Sequence, residues 1–400
     1  AKSIDELFSA IPESLYGNAE LKLERSLGER SLMELFGALA ERNRSCERNA
    51  SFLGGGAYHH FIPAAVAALA GRGEFLTAYT PYQAEVSQGT LQAIFEFQTL
   101  VSSLFGLEVA NASMYDGASA TAEAVLMSKR LAPKAGRVLL ASSLPPPYRR
   151  VVATYLAGLP GLEAVELAYG ADGRIDRAAL DRQLDPAPTA LVVASPNAFG
   201  VIEDLTSLAE RLHAAGSFLV SVTPEALSLG ILKSPGSCGA DIAVAEGQSF
   251  GLALSFGGPY LGLFATREKF VRSMPGRLVS ETVDGGGRRG FVLTLATREQ
   301  HIRRERATSN ICTNQGLMAL AATTYLALAG RRGLREIAEQ NAAKARYAQK
   351  LLVEHAGATP VFSAPFFNEF AVRLPDARKR RERALDAGIL AGLPLGDWYP

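Results

Sequence analysis

The sequence predicts an α/β protein with a largely parallel sheet and helices on both faces of that sheet. Short apolar runs bounded by turn residues predict strands, and segments of helical periodicity lie between them. Strands that alternate with helices of ten or more residues indicate parallel crossover connections. The runs that predict strands are Arg137–Ala141, Leu191–Ala194, Phe218–Val222 and Asp241–Ala245, and Leu205–Ala215 predicts a helix between two of them.

The sequence of residues 1–50 predicts a helical arm that packs on a surface outside the arm itself. Two pairs of residues have the spacing of a reciprocal helix cap, in which a serine precedes a glutamate by three positions. These pairs are Ser3 with Glu6 and Ser26 with Glu29.

The remaining chain predicts a large domain over 51–300 and a small C-terminal domain over 301–400. Helical periodicity covers Gln88–Phe105 and Ser119–Leu131 in the large domain. The small domain is expected to contain helices from about Asn314 to Leu328 and from Leu334 to Glu354, then a strand at Phe370–Leu374. No closing element follows that strand, so we expect this domain to be incomplete at its C-terminus.

Composition excludes several classes of partner. In 400 residues, 41 Lys and Arg nearly balance 40 Asp and Glu, so no global field favours a nucleic acid or an anionic membrane. The longest apolar stretches, such as Phe61–Ala70, are about half of a membrane span. The three cysteines are far apart, without the spacing of a disulfide framework or a zinc site. We therefore expect a cytoplasmic protein.

Motifs for metal, nucleophilic and nucleotide chemistry are weak. The adjacent pair His59–His60 has no third ligand nearby in sequence, so no metal site is predicted. No Gly-x-Ser-x-Gly motif is present. The triplet Gly54–Gly56 lacks the lysine of a nucleotide-binding loop, and it is either a turn or a backbone cradle for an anion.

Three polar segments are stronger candidates for a site. Tyr79–Gln83 leads into a helix, and Asn111–Gly117 opens the next one. Unpaired N–H groups at a helix N-terminus favour phosphate or carboxylate, although a cap or an interface contact explains these residues equally well. The segment Ala194–Gly200 follows a strand on the side where parallel sheets bind ligands, and its alternative explanation is a turn.

Four long segments resemble the P-protein of the glycine cleavage system, most closely subunit 1 of its split bacterial form. The resemblance runs from residue 3 to about 375. It implies a pyridoxal-phosphate (PLP) fold-type-I architecture, a large domain with a mostly parallel sheet and a small C-terminal α+β domain. The segments are Asn49-Ala-Ser-Phe-Leu-Gly-Gly-Gly56, Glu74-Phe-Leu-Thr-Ala-Tyr-Thr-Pro-Tyr-Gln-Ala-Glu-Val-Ser-Gln-Gly89, Ala110-Asn-Ala-Ser-Met-Tyr-Asp-Gly117 and Thr297-Arg-Glu-Gln-His-Ile-Arg-Arg304.

The resemblance implies a cofactor lysine just after the strand Asp241–Ala245, and this lysine is missing. The chain reads Ala245-Glu-Gly-Gln-Ser-Phe-Gly251 there, and no lysine occurs from Ser234 to Glu268. Gln248 or a neighbour takes the place, and an amide forms no imine. The carboxylate implied on the strand Phe218–Val222 is also absent, and the nearest acid is Glu225.

This pattern predicts the non-lysine subunit of a glycine dehydrogenase (decarboxylating). A PLP-bearing partner, subunit 2, would supply the lysine. Two copies of each subunit are expected to assemble, decarboxylate glycine and transfer the aminomethyl group to the lipoyl arm of the H-protein. No cofactor is expected on this chain. The residues expected to approach the partner or a shared site are Tyr79, Tyr82, Gln83, Tyr115 and Asp116.

One departure from the family pattern lies in Ser142-Ser-Leu-Pro-Pro-Pro-Tyr-Arg149. The family usually reads His-Pro-Glu-Tyr-Arg here, so a histidine and a glutamate have become prolines between Pro145 and Pro147. In lysine-bearing relatives this segment would supply a ring over the cofactor. The loss favours a catalytically silent subunit or a divergent member of the family.

Two alternatives remain open from the sequence. The first is a self-sufficient PLP enzyme, such as an aminotransferase or desulfurase, that uses another of the nine lysines. Lys233 is the one nearest to the expected region, but it precedes the strand at Asp241. The second is a non-enzymatic scaffold that keeps only the fold.

Overall fold

The computed structural model describes residues 1–12, 14–15 and 22–399. Their contacts divide the chain into two compact units, Ala1–Ala50 and Ser51–Pro400. Each unit is described by itself below, and all candidate site residues belong to the second one. The predicted boundary near residue 300 stays a prediction.

The described part of the first unit contains a short 3-10 helix and one α-helix. The 3-10 helix covers Asp5–Phe8, and the backbone N–H of Glu6 donates to Ser3 Oγ over 3.3 Å. Helix α1 is Glu29–Ala40. It begins after Gly28 without a side-chain cap, so the predicted cap at Ser26 is wrong. The apolar side chains of α1 that are exposed are Leu32, Met33, Leu35, Phe36 and Leu39.

The second unit alternates strands and helices over most of its length. The strands are β1 (Ala50–Ser51, which begins at the boundary), β2 (Val109–Ala110), β3 (Arg137–Ala141), β4 (Glu163–Leu167), β5 (Ala190–Ala194), β6 (Phe218–Thr223), β7 (Ile242–Glu246), β8 (Gly262–Thr266), β9 (Leu278–Val283), β10 (Arg289–Thr294), β11 (Thr359–Pro360), β12 (Val372–Arg373) and β13 (Ile389–Leu390). The helices are α2 (Ala64–Ala70), α3 (Gly73–Leu76), α4 (Gln88–Phe105), α5 (Gly117–Leu131), α6 (Pro146–Leu156), α7 (Arg177–Asp181), α8 (Leu205–Ala214), α9 (Gln300–Arg303), α10 (Gly316–Ala356) and α11 (Ala377–Asp386).

Seven strands form the central sheet in the order β2-β8-β7-β6-β5-β3-β4. Strands β4, β3, β5, β6 and β7 are parallel to one another, whereas β8 and β2 are antiparallel to their neighbours. The predicted α/β class and its largely parallel sheet are therefore confirmed. The four strands predicted for this sheet are all present, and each differs from the prediction by no more than one residue at either end. The further strand predicted at Phe370–Leu374 is present only as the two residues of β12.

Side chains of the sheet alternate between two apolar layers, as the period of a strand requires. In β3, Val138 and Leu140 pack with α5 and α6 on one face. Leu139 packs with α8 on the opposite face. Helices therefore cover both faces, and this explains why the strands read as nearly continuous apolar runs.

Helix α10 consists of two helices that meet at Gly330. This residue has φ 59° and ψ −179°, a backbone conformation that is essentially restricted to glycine. The prediction of two successive helices in this part of the chain is confirmed. In the described residues, no helix is long and apolar enough to cross a membrane.

Candidate functional site

The parallel strands end together at one edge of the sheet, where α/β proteins bind ligands. The pairing of Val222 with Val244 and of Thr223 with Ala245 brings the ends of β6 and β7 side by side. Strand β7 ends at Glu246, and Gln248 follows two residues later. The expected lysine position thus lies at this carboxyl edge of the sheet.

Gln248 is completely buried and uses both ends of its amide group within the chain. Its Oε1 accepts from the backbone N–H of Tyr58 over 2.8 Å. Its Nε2 donates to the carbonyl oxygens of Tyr58 over 3.0 Å and Leu252 over 2.7 Å. Backbone partners therefore use both N–H donors of the amide and one of the two acceptor positions of its oxygen. Gln248 therefore holds the segment around Tyr58 against the edge of the sheet.

Glu246 is 4% exposed and reaches the start of α5. Its Oε2 accepts from Gly117 N–H over 2.9 Å. Its Oε1 accepts from the N–H groups of Gln248 over 3.0 Å and Leu261 over 3.1 Å. Burial raises the pKa of Glu246 to about 8, while these N–H donors act in the opposite direction. The carboxyl group therefore occupies the N-terminus of α5.

Tyr148 fills the space beside this carboxyl group. A Cβ placed on Gly117 would lie 2.3 Å from the Tyr148 hydroxyl oxygen and 3.0 Å from Glu246 Cβ, so only glycine fits there. Burial raises the pKa of Tyr148, and the nearby Glu246 adds to this effect. We call Tyr148, Glu246 and Gln248 the sheet-edge cluster.

The proline run begins helix α6. Pro145 is the N-cap residue, and Pro146 and Pro147 are the first two residues of the helix. Proline is favoured in the first turn, because an N–H group there has no partner within the helix. This placement brings Tyr148 to the start of α5, so a tyrosine of the predicted segment, rather than a histidine, enters the site.

The glycine triplet binds a carboxyl group of the protein itself. Gly54, Gly55 and Gly56 all have positive φ values. The N–H of Gly55 donates to Glu369 Oε1 over 2.6 Å. Burial raises the pKa of Glu369, which favours the neutral form of this carboxyl group. The cradle for an anion stays a prediction.

His60 and Glu225 also bind groups of the chain. His60 Nε2 accepts from Gly251 N–H over 3.2 Å, and its Nδ1 lies 3.0 Å from the Tyr58 carbonyl oxygen. Glu225 accepts from Leu227 N–H over 2.9 Å at the start of a 3-10 helix. Burial raises the pKa of Glu225 to about 7. Both residues consequently contribute to local backbone structure.

Two of the residues predicted to approach a partner contact their own chain. Asp116 is the N-cap of α5, and its Oδ1 accepts from Ser119 N–H over 2.7 Å. Tyr115 accepts from Cys312 N–H over 2.9 Å through its hydroxyl oxygen. These contacts explain both residues structurally, and a role at the partner stays a prediction.

The segment Ala194–Gly200 is a turn held by Asn197. Its Oδ1 accepts from the N–H groups of Phe199 over 3.0 Å and Val201 over 3.2 Å. Its Nδ2 donates to Gly173 O over 2.9 Å. The side chain is 2% exposed and bound to backbone on all of these sides, so the turn explanation accounts for it.

Tyr79, Tyr82 and His301 form an exposed group that we call the aromatic surface. Tyr79 is 74% exposed and Tyr82 46%. Their ring centroids are 6.5 Å apart, and the Tyr82 ring is 5.4 Å from that of His301. Gln83 follows directly in the chain and is also exposed. Three of the five predicted residues therefore lie together on the surface of the protein.

A buried ion pair supports the aromatic surface. Arg277 is 3% exposed, and its Nε lies 3.1 Å from Glu299 Oε2. Arg277 also donates to the Tyr82 hydroxyl oxygen over 2.7 Å, with its guanidinium carbon 5.2 Å from the centre of that ring. Glu299 belongs to the Thr297–Arg304 segment, so this motif has a structural role beneath Tyr82.

Comparison with known proteins assigns the chain to a family. The sequence model described as Glycine cleavage system P-protein matches residues 1–395. The chain belongs to the P-protein family. A probable glycine dehydrogenase (decarboxylating) subunit 1 from Desulforamulus reducens is 51% identical over 400 residues, which are 100% of this chain and 89% of that protein. The same protein from Anaeromyxobacter dehalogenans is also 51% identical, with the same two coverages.

Solved structures agree with the family and the fold. The glycine decarboxylase (P-protein) of the glycine cleavage system, in inhibitor-bound form, has a TM-score of 0.88 and 47% identity, covering 96% of this chain and 86% of that one. A sphingosine-1-phosphate lyase from Burkholderia pseudomallei has a TM-score of 0.67 at 14% identity, covering 94% and 85%. The second likeness shows the fold alone. The expected fold-type-I architecture is confirmed.

The residues at the sheet edge do not fit a covalently held PLP. Position 248 carries an amide, which forms no imine, and both of its N–H donors and its oxygen bind backbone groups of the chain. The carboxyl group of Glu246 lies where a phosphate group would meet the first N–H of α5. No step of a reaction is therefore assigned to a cofactor on this chain.

Sequence reasoning missed the roles of Glu246, Tyr148 and Glu369. Glu246 lies two residues before Gln248, at the end of a predicted strand, and this position could have indicated it. Glu369 is 314 residues from Gly55, so no local pattern connects the two.

Proposed function

We propose that this chain is the subunit of a glycine decarboxylase that carries no cofactor and acts with a PLP-bearing partner. The observation that carries the proposal is Gln248, which takes the lysine position and is hydrogen-bonded to backbone groups inside the fold. The names of the relatives as subunit 1 support a second subunit in the complex. When bound to that partner, PLP would accept the electrons left at the glycine α-carbon on loss of CO2.

In this proposal the chain contributes walls of a shared cavity and part of the interface between the subunits. The partner contributes the lysine that binds PLP. The aromatic surface supports the role at the interface, because tyrosine is enriched at the centres of protein interfaces and offers large contact area at little conformational cost. Tyr79, Tyr82 and Gln83 would contact the partner directly. Tyr115 and Asp116 would position the start of α5 behind that contact.

The proposed assembly has two copies of each subunit and transfers the aminomethyl group to the lipoyl arm of the H-protein. The cytoplasm is the proposed compartment, because the cysteines show neither a disulfide framework nor a zinc pattern. These parts of the proposal rest on the family, and each is open to direct measurement with purified subunits.

The self-sufficient PLP enzyme is disfavoured by the position of Lys233. This residue is exposed and precedes β7, whereas the expected lysine follows that strand. The remaining alternative is a scaffold that takes no part in catalysis. It differs from our proposal only in its effect on the activity of the partner, so activity measurements on the mixture of both subunits distinguish the two functions.

The test is an absorbance scan with PLP, before and after borohydride reduction, on the chain alone, the partner alone and the mixture. We expect no reducible imine band from the chain alone. Glycine-dependent exchange of CO2 should require both subunits and the lipoylated H-protein. A reducible band in the isolated chain would contradict the proposal, and full exchange by the partner alone would favour the scaffold.

A further inference from the structure

At two places in this unit where glycine N–H groups are open to an acceptor, a buried glutamate of the chain is that acceptor. One is the glycine triplet, where Gly55 N–H donates to Glu369 over 2.6 Å. The other is the first turn of α5, where Gly117 N–H donates to Glu246 over 2.9 Å. Both places would otherwise suit a phosphate group, because unpaired N–H groups and the helix dipole favour anions.

The start of α5 is unsuited to a second anion. Two of its first three residues, Gly117 and Ser119, already donate their N–H groups to carboxyl oxygens, one from Glu246 and one from Asp116. A phosphate in this place would lose those donors, because the carboxyl oxygens of Glu246 and Asp116 already occupy the positions that its own oxygens would need.

The side chains of the sheet-edge cluster are also packed tightly at the start of α5. Tyr148 is 8% exposed, Glu246 4% and Gln248 0%. A Cβ on Gly117 would lie 2.3 Å from the Tyr148 hydroxyl oxygen, so no group can be added at this point unless these side chains move.

Gln248 and Glu369 close the site from the side of the glycine triplet. Gln248 binds both backbone groups of Tyr58, and Glu369 binds Gly55, three residues earlier in the chain. One short segment is thereby tied to two different parts of the unit. Moving the segment away from the sheet edge would break all of these hydrogen bonds together.

We infer that Glu246, Gln248 and Tyr148 form an internal closure that excludes a phosphate-bearing cofactor, so that a lysine at position 248 alone does not restore cofactor binding. The inference goes beyond the proposed function, because it concerns the pocket of this chain with or without a partner. It distinguishes a closed pocket from an open pocket that merely lacks its lysine. In the closed pocket the carboxyl group of Glu246 is the main obstacle.

The experiment compares the unaltered chain, Gln248→Lys and the double variant Glu246→Ala with Gln248→Lys. Each is incubated with PLP, reduced with borohydride and digested, and the phosphopyridoxyl group is located by peptide mass spectrometry. We expect no label at position 248 in the single variant and clear label there in the double variant. A short lysine-containing peptide in the same incubation is the control, because its label reports that the reagents have reacted.

Label at position 248 in the single variant at the level of the double variant would overturn the inference. So would its absence from a double variant whose circular dichroism shows a folded chain. If the double variant does not fold, equilibrium dialysis of the unaltered chain against PLP and against pyridoxal decides the question. Equal retention of the two supports the closure, whereas phosphate-dependent retention that inorganic phosphate competes away overturns it.

The outcomes separate this inference from the proposed function. A reducible imine on the unaltered chain contradicts the proposed function. Label in the single variant contradicts only the closed pocket, because the natural chain would still lack its lysine and depend on a partner.

Discussion

The sheet-edge cluster and the aromatic surface lie in the same unit, but they differ in what their polar groups contact. At the sheet edge, Glu246 and Gln248 are buried and bind backbone groups of their own chain. At the surface, Tyr79 and Tyr82 are exposed above the buried Arg277. The polar groups at the sheet edge are thus used within the chain, whereas the tyrosines of the aromatic surface are available to another molecule. Under the function proposed above, one fold lacks a cofactor site of its own and offers a surface to a partner.

The largest expected effect concerns the ion pair beneath the aromatic surface. Arg277→Ala should lower the free energy of unfolding by about 3–5 kcal/mol, because it leaves the buried carboxylate of Glu299 without its counter-charge. Urea unfolding measures the loss. Arg289→Ala is the matched control, since Arg289 pairs with Glu281 on the surface and should cost less than about 1 kcal/mol. Equal losses in the two variants would contradict a structural role for Arg277.

The next effect concerns the sheet edge itself. Gln248→Ala should lower the free energy of unfolding by about 3 kcal/mol, because it leaves two backbone groups of Tyr58 and one of Leu252 without their partner. Gln92→Ala is the control, since that amide bonds only to Glu96 on the exposed side of α4 and should cost less than about 0.5 kcal/mol. A neutral effect of Gln248→Ala would mean that position 248 does not hold the segment.

A third prediction concerns pH. The pKa of Glu225 is raised from 4.5 to about 7, so the folded chain binds a proton that the unfolded chain releases between these values. Its contribution to stability is complete below the unfolded pKa and is lost as the pH rises to about 7. Glu225→Gln, which cannot ionise, should therefore gain about 1–2 kcal/mol relative to the unaltered chain between about pH 5 and pH 7. A difference that stays constant with pH would show that Glu225 is ionised throughout.

The smallest effect on stability is expected at the aromatic surface. Tyr79→Ala should change the free energy of unfolding of the isolated chain by less than about 0.5 kcal/mol, because the side chain is 74% exposed. Its effect should instead appear as weaker binding of the partner subunit in analytical ultracentrifugation. Tyr347→Ala is the control, because Tyr347 is a comparably exposed tyrosine on α10. Equal affinities in the two variants would remove Tyr79 from the proposed interface.

Much of the fold could be predicted because its signals are local. Helix α4 has the predicted bounds, since its apolar positions repeat with the period of a helix. The break at Gly330 lies between the two helices expected there. The missing lysine was also visible, because the sequence at the end of β7 could be compared with the family.

The closure of the site could not be predicted, because it depends on contacts between distant parts of the chain. Gln248 and Tyr58 are 190 residues apart, and Glu246 and Gly117 are 129 apart. Nothing in the local sequence shows that an acid at the end of a strand will bind the start of a helix. The cap expected at Ser26 failed for a simpler reason, since α1 begins at Glu29 without any side-chain cap.

The hydrogen bonds of Gln248 have an evolutionary consequence. A change of Gln248 to lysine would forfeit the bonds to Tyr58 and Leu252. A change of Glu246 alone would remove the acceptor of three N–H groups, those of Gly117, Gln248 and Leu261. Under the closure inferred above, the two positions are epistatic, and neither substitution alone would give this chain a cofactor.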